Sequence, residues 1–142
     1  MEEVRFTVIG QPQGKQRPRT IRLKNGKSCT YTPENTVLYE NLIKSEYWRQ
    51  VGNVRFDNGD FISARIVAFY GIPASASKKK QFEMMSGKIR PTKKPDTDNV
   101  LKVICDALNG IAYKDDAQIV HARVSKYYSD NPRVEIYLQK AN

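Results

Sequence analysis

A nearly apolar stretch, ISARIVAFYG at residues 62–71, constrains the fold of this chain more than any other segment. Its residues alternate between two sides that are both mostly apolar, which is typical of a strand in an inner position of a sheet. Gly71 and Pro73 end the run, as expected at the end of a strand. We therefore predict an inner strand here.

The first strand and the first helix are predicted on either side of a basic loop. Alternating apolar residues at positions 4, 6 and 8 indicate a half-buried strand. After the loop, Thr32 or Asn35 can cap a helix that continues to the break near Gly52. The apolar stripe of this helix is predicted to consist of Leu38, Tyr39, Leu42, Ile43 and Tyr47.

The second half of the chain predicts a further helix and two final strands. The segment from PDTDN to about Gly110 has its apolar residues at helical spacing, whereas SKKKQFEMMSG before it fits a short helix without clear ends. Residues 118–128, with Val120, Ala122 and Val124 inward, and residues 133–139 alternate as strands, and the turn SDNP joins them. We expect an α/β (α+β) fold: one small domain over residues 1–142, a mixed sheet in the order βαβαββ and helices packed on it.

Neither the N-terminus nor the cysteines point to export or to a membrane. No apolar run approaches the roughly 20 residues of a membrane helix, and MEEVRFTVIG predicts a strand, not a signal peptide. Cys29 and Cys105 lack the paired spacing of zinc sites. We expect a cytoplasmic protein with two unremarkable thiols, although Cys105 lies near the polar side of its helix.

The basic residues are concentrated in two stretches, the first at residues 15–27 and the second at residues 78–94. The net charge is +9, and Gly, Pro and Ser mark both stretches as loops from which cations can reach phosphates. The alternative is a solvated basic surface without a partner, but the clustering favours nucleic acid. The residues expected to contact DNA are Lys15, Arg17, Arg19, Lys78, Lys79, Lys80, Arg90, Lys93 and Lys94.

Acidic residues stand out against this background. Asp96 and Asp98 open the second long helix, where one can serve as the N-cap and the other can interact with the positive helix end. Lys102 lies one turn later, and Asp115 and Asp116 follow in the next loop. Carboxylates beside a phosphate-binding surface form the usual Mg²⁺ site, which favours metal-assisted phosphodiester hydrolysis over capping alone. A sugar-nucleotide transferase ranks far lower, because the chain lacks a nucleotide-binding βαβ unit.

Residues 93–120, KKPDTDNVLKVICDALNGIAYKDDAQIV, resemble the RusA family of Holliday junction resolvases. The matching motifs are D-x-D-N, the lysine four residues after the second aspartate, D-A-L and D-D-x-Q-[IV]. Weaker similarity to phage-type members extends over most of the chain, through GKQRPR, TYTP, SASKKK and KIRPTKKP. Thr97 departs from the apolar residue that is usual within D-x-D, a change expected to matter little.

The resemblance implies a metal-dependent endodeoxyribonuclease of DNA recombination and repair. It would act as a homodimer on four-way DNA junctions by paired symmetric nicks, with Mg²⁺ or, as a substitute, Mn²⁺, and without a small-molecule substrate. Carried over by position, Asp96, Asp98 and Asp116 are metal-binding catalytic residues and Lys102 is the catalytic lysine. Asp115 is expected to be a further ligand or to support one, and Asp106 to orient Lys102.

Two other functions stay open from the residues alone: a metal nuclease of flaps or single strands, and a DNA-binding module without activity. Tyr113, which precedes the acidic pair, is a candidate for stacking on an unpaired base. His121, the only histidine, is expected to face outward from a strand without a catalytic role.

Overall fold

The computed structural model describes residues 3–142, so the first two residues of the predicted domain lie outside the described part. The strands are β1 (Glu3–Ile9), β2 (Arg19–Arg22), β3 (Ser28–Tyr31), β4 (Ile62–Gly71), β5 (Ile119–Ser129) and β6 (Arg133–Lys140). The helices are α1 (Glu34–Gln50), α2 (Lys78–Met85) and α3 (Thr97–Leu108), and a 3₁₀ turn spans Asp116–Gln118. The α/β (α+β) class and the short helix in the second basic stretch are confirmed.

Four strands form a mixed sheet in the order β1-β6-β4-β5. β4 is antiparallel to β6 on one side and parallel to β5 on the other, which confirms its predicted inner position. β1 pairs antiparallel with β6 at the other edge. The SDNP turn joins β5 to β6 as predicted. These two consecutive strands lie on either side of β4, however, and do not pair with each other.

One hydrophobic core lies between the sheet and the helices α1 and α3. Alternate residues of β1, β4 and β6 are buried in the core that α1 and α3 cover, and the apolar positions of α3 fit the predicted helical spacing. The Phe6 and Tyr47 rings meet edge to face with centroids 5.4 Å apart, and the Tyr47 hydroxyl donates to the Val54 carbonyl. These contacts fix α1 against β1, while α3 buries its apolar residues in the same core and leaves its polar side exposed.

The predicted stripe and cap of α1 are partly wrong. Leu38 and Leu42 are 57% and 40% exposed, because the buried stripe is narrower and follows Tyr39, Ile43 and Tyr47. Pro33 occupies the N-cap position of α1, where its fixed φ suits the helix entry without a side-chain hydrogen bond.

Two predictions about β5 and the chain before it are also wrong. Val120 and Ala122 are exposed, because β5 is an edge strand whose residues 120–123 are exposed on both faces. Tyr113 is buried in the core and donates its hydroxyl to the Cys105 carbonyl at 2.8 Å, so it is not available to stack on a base. Over residues 3–142, no helix has the length and apolarity that a membrane span requires.

The first basic stretch is an ordered hairpin and not only a loop. β2 and β3 pair antiparallel in register from Arg19↔Tyr31 to Arg22↔Ser28, apart from the main sheet. The alternation of apolar and polar residues is weak in this segment, since Thr, Arg and Ser occupy five of the eight strand positions. The predicted order βαβαββ therefore gains two strands after β1.

Candidate active site

The two aspartates of D-x-D begin α3 at exposed positions. Asp96 is the N-cap residue and Asp98 lies in the first turn, as the capping interpretation requires. Across the described residues, however, the Asp96 carboxylate accepts no capping hydrogen bond from the backbone of α3. Capping therefore accounts for the position of Asp96 but leaves its carboxylate oxygens free for another ligand.

The loop before Asp96 is held against the sheet and the N-terminal segment. The Tyr70 hydroxyl donates to the Pro95 carbonyl at 2.5 Å, and the Lys94–Pro95 peptide bond is cis. Burial raises the pKa of Tyr70 to about 12, and the nearby Asp96 carboxylate adds to the rise. A Cβ on Gly14 would lie 2.8 Å from the Pro95 Cβ, so only glycine fits at that point of GKQRPR.

Further along α3, four charged side chains form a connected group. Lys102 Nζ lies 3.0 Å from Asp106 Oδ1, and Lys15 Nζ lies 3.3 Å from Asp106 Oδ2 and 3.3 Å from Glu40 Oε1. The contact between Lys102 and Asp106 agrees with the prediction that Asp106 orients Lys102. That this orientation matters for catalysis stays a prediction. The sequence does not point to Glu40, because no pattern in α1 connects it to Lys15.

The loop that carries Asp115 and Asp116 is fixed by two amide side chains. Asn109 Oδ1 accepts from the Asp116 backbone N–H at 2.8 Å. Gln118 closes a capping box with Asp115, and its Nε2 donates to the carbonyls of Asp57 and Asp60 at 2.9 and 3.1 Å. Neither amide was assigned a role from the sequence, although Gln118 belongs to the D-D-x-Q motif and so carried a signal.

The electrostatics connect Lys102 with this loop. Partial burial raises the pKa of Asp116, the neighbouring Asp115 side chain raises it further, and the Lys102 cation opposes both effects. The hydrogen bond to Asp106 raises the pKa of Lys102, and the Asp116 charge adds to that rise. Lys102 and Asp116 also line one surface pocket of about 270 Å³ with Cys105, whose pKa burial raises to about 11.

Asp96 lines a different cleft, of about 620 Å³, between the N-terminal segment and the start of α1. Arg17, Lys94 and Asn99 share its walls. Among the residues that the structure describes, no three His, Cys, Asp or Glu side chains are grouped to hold a metal ion. The donor chemistry of Asp96, Asp98 and Asp116 suits Mg²⁺, which prefers carboxylate oxygens, but this single chain does not bring the three together.

The predicted DNA-contacting residues have different environments. Lys78, Lys79 and Lys80 form the first turn of α2, which Ser77 caps by accepting from the Lys80 N–H. Arg90 is stacked over the Tyr127 ring and donates to the Lys126 carbonyl at 2.8 Å. Further residues of the set are exposed: Arg17, Arg19, Lys93 and Lys94.

Comparison with known proteins agrees with the motifs. A family model described as "Endodeoxyribonuclease RusA" matches residues 10–139. The chain is also 35% identical over 150 aligned residues to a protein of Bacillus subtilis (strain 168) described as "Uncharacterized protein YqaN". That alignment covers 100% of this chain and 99% of the relative. The similarity therefore extends over both the α3 motifs and the N-terminal basic stretch.

Proposed function

We propose, since the chain belongs to the RusA family of endodeoxyribonucleases, that it resolves four-way DNA junctions by paired symmetric nicks with Mg²⁺ as cofactor. The observation that carries this proposal is the polar side of α3. There Lys102 is held by Asp106 and shares a pocket with Asp116, on a helix whose N-cap residue is Asp96. The proposal treats residues 1–142 as one endonuclease domain that works in the cytoplasm.

The carboxylates proposed to hold the metal are those that the motifs imply, Asp96, Asp98 and Asp116, which are not grouped around one point within the described residues. These residues would hold Mg²⁺, whose chemistry would be to lower the pKa of a coordinated water and to offset negative charge on the phosphate. The free oxygens of Asp96 and the raised pKa of Asp116 support this assignment, because a cation would stabilise both ionised carboxylates. Mn²⁺ has the same ligand preference and is expected to substitute.

Lys102 is the proposed catalytic cation. Its ammonium group would stabilise negative charge that builds on the scissile phosphate, and Asp106 would keep it on the polar side of α3. The exposed cations Arg17, Lys93 and Lys94 would hold the DNA backbone beside the acids. A two-fold homodimer suits a junction with two equivalent strands to cut.

The experiment is a nicking assay on a labelled synthetic four-way junction, with linear duplex and flap DNA of the same sequence, in Mg²⁺ and in EDTA. We expect paired nicks that are confined to the junction and lost in EDTA. Asp98→Asn should abolish cleavage while junction binding is kept or tightens, because repulsion of phosphate decreases. Asp130→Asn, an exposed acid of the β5–β6 turn, is the matched control and should cut normally.

Other outcomes have definite meanings. Cleavage of flaps or single strands in preference to junctions would establish a different structure-selective nuclease. Junction binding without cleavage in any divalent metal would refute the enzyme and leave a DNA-binding module. Equal loss of binding and cleavage in Asp98→Asn would remove Asp98 from a metal-binding role.

A further inference from the structure

The hairpin of β2 and β3, residues 17–31, here called the ribbon, is exposed along its entire length. Its strands pair only with each other, and the Thr20 and Thr30 hydroxyls lie 3.1 Å apart across them. An isolated two-stranded hairpin is at best marginally stable in water. A ribbon whose strands pair only with each other and whose side chains are all exposed is therefore a surface suited to a partner.

The two faces of the ribbon differ in chemistry. Residues directly opposite each other in an antiparallel pair point to the same side. The pairing Ile21↔Cys29, with Arg19↔Tyr31, therefore gives one face an apolar and aromatic surface. Ile21 and Tyr31 are 46% and 42% exposed. The opposite face carries the pairs Thr20↔Thr30 and Arg22↔Ser28 and is polar.

The charge of the ribbon points to a polyanion as the partner. Residues 11–33 contain no acid and several cations, four of which are Arg19, Arg22, Lys24 and Lys27. The whole chain carries a net charge of +9, so a second copy placed on the ribbon would bring like charges together. Charge complementarity therefore favours nucleic acid over a second copy of this chain.

The ribbon begins beside the candidate active site. The Lys15 backbone N–H donates to the Asn99 carbonyl in α3 at 3.1 Å, and the Gln16 N–H donates to Thr36 Oγ1 at 3.2 Å. Gly14 fits closely against Pro95 and Asn99. These contacts hold the base of the ribbon against Asn99, the residue after Asp98, so the ribbon begins close to the acids.

We propose that the apolar face of the ribbon, formed by Ile21, Cys29 and Tyr31, packs on unstacked bases at the branch point of a DNA junction. A continuous duplex offers mainly phosphates and groove edges, which the cations alone can bind, whereas a branch point also exposes base faces. Aromatic and apolar side chains stack on or insert between such bases. This inference rests on the proposed function and assigns branch recognition to a specific surface.

The first test uses face-specific variants in EDTA, where no cleavage occurs. Ile21→Thr combined with Tyr31→Thr removes the apolar face but keeps the charge. It should weaken four-way junction binding at least about tenfold, leave linear duplex binding unchanged and preserve the salt dependence. Thr20→Ser combined with Thr30→Ser is the matched control on the opposite face and should bind as wild type.

The second test uses the unmodified chain, because Cys29 is an exposed thiol on the proposed face and Cys105 is buried. Modification of Cys29 by a maleimide should slow at least about tenfold at saturating four-way junction. Saturating linear duplex should slow the modification of Cys29 much less. The Cys29→Ser variant shows which thiol reacts with the maleimide, since it should lose the rapidly reacting one.

Several results would overturn the inference. One is equal protection of Cys29 by four-way junction and by linear duplex. Another is an unchanged junction affinity when Ile21→Thr and Tyr31→Thr are combined. A third is a wild-type protein that binds junctions no more tightly than duplex. Protection that rises with protein concentration without DNA, with a doubled mass in light scattering, would identify a second copy as the occupant. Cleavage of junctions with Cys29 still reactive would refute this inference alone, whereas selective protection without any cleavage would refute only the nuclease proposal.

Discussion

Lys15 Nζ lies 3.3 Å from Asp106 Oδ2, and the other oxygen of the same carboxylate lies 3.0 Å from Lys102 Nζ. One acid on α3 therefore contacts both the residue at the base of the ribbon and the proposed catalytic lysine. Glu40 of α1 holds Lys15 from the other side at 3.3 Å. The position of Lys102 is thereby coupled to the segment that leads into the ribbon.

The first prediction tests this coupling with Asp106→Asn. Loss of both ion pairs should free Lys102, so we expect the single-turnover rate of junction cleavage to fall at least about tenfold. Junction affinity should change less than about threefold, and stability should fall by about 1 kcal/mol, because the pairs are partly exposed. Glu46→Gln, which breaks a pair with Arg49 on α1, is the control for cleavage. A loss of affinity as large as the loss of rate would contradict a role through Lys102.

The second prediction concerns Asp116, whose folded-state pKa is raised above 3.8, mainly by burial. The ionised carboxylate is thus less favourable in the folded than in the unfolded chain, so Asp116→Asn should abolish cleavage yet stabilise the fold at pH 7. The gain should be under about 1 kcal/mol, because water screens this partly exposed group. It should disappear below pH 3.8, where the acid is protonated in both states. Urea unfolding of wild type and variant at pH 7 and at pH 3 measures the gain in stability and its disappearance. A variant less stable than wild type at pH 7 would contradict the predicted stabilisation.

Much of the fold was predictable because its signals are local and periodic. The apolar run of β4 predicts an inner strand, and the helical spacing in α3 places Val100, Ile104 and Leu108 in the core. The errors concern relationships that periodicity does not encode. Leu42 has a stripe position on α1 but is 40% exposed, and Val120 follows the alternation of a strand but lies on β5 at the edge of the sheet.

The candidate site was predictable only as a set of residues. The motifs identify Asp96, Lys102 and Asp116, but they do not reveal that Asp96 lines one cleft while Lys102 and Asp116 line another. The role of Asn109 depends on a hydrogen bond across seven residues, which requires the loop to fold back on the helix. The burial of Tyr113 has the same origin, since that loop carries its ring under α3.

The third prediction tests the close approach at Gly14. An alanine Cβ would lie 2.8 Å from the Pro95 Cβ and 3.0 Å from the Asn99 Cβ, and neither atom is the end of a flexible side chain. Gly14→Ala should therefore displace the base of the ribbon and cost about 1–3 kcal/mol in unfolding free energy. Gly59→Ala, where a Cβ meets nothing within 4 Å, is the control and should be nearly neutral. Thermal unfolding compares the two alanine variants. Equal melting temperatures would show that the segment around Gly14 shifts to accept the Cβ without a loss of stability.

The fourth prediction separates phosphate contacts from other cations. Arg17→Ala or Lys94→Ala should weaken junction and duplex binding alike and reduce the slope of log affinity against log salt by about one unit each. Both residues line the cleft of Asp96. Arg49→Gln is the control, because Arg49 is already paired with Glu46 on α1 and should leave the slope unchanged. An unaltered slope for Arg17→Ala or Lys94→Ala would place that residue outside the DNA interface.

The fifth prediction follows from the buried thiol of Cys105, whose pKa burial raises from 9.0 to about 11. Above pH 9 the unfolded chain releases this proton while the folded chain retains it until about pH 11. Ionisation therefore favours unfolding as the pH rises through this window, and stability should fall by roughly 2 kcal/mol from this group. Urea unfolding between pH 8 and 11 should show a smaller decline for Cys105→Ala, whereas Cys29→Ala, at an exposed site, should retain the full decline. Parallel declines in both variants would assign the alkaline loss to the buried tyrosines, such as Tyr39, whose pKa is raised to about 12.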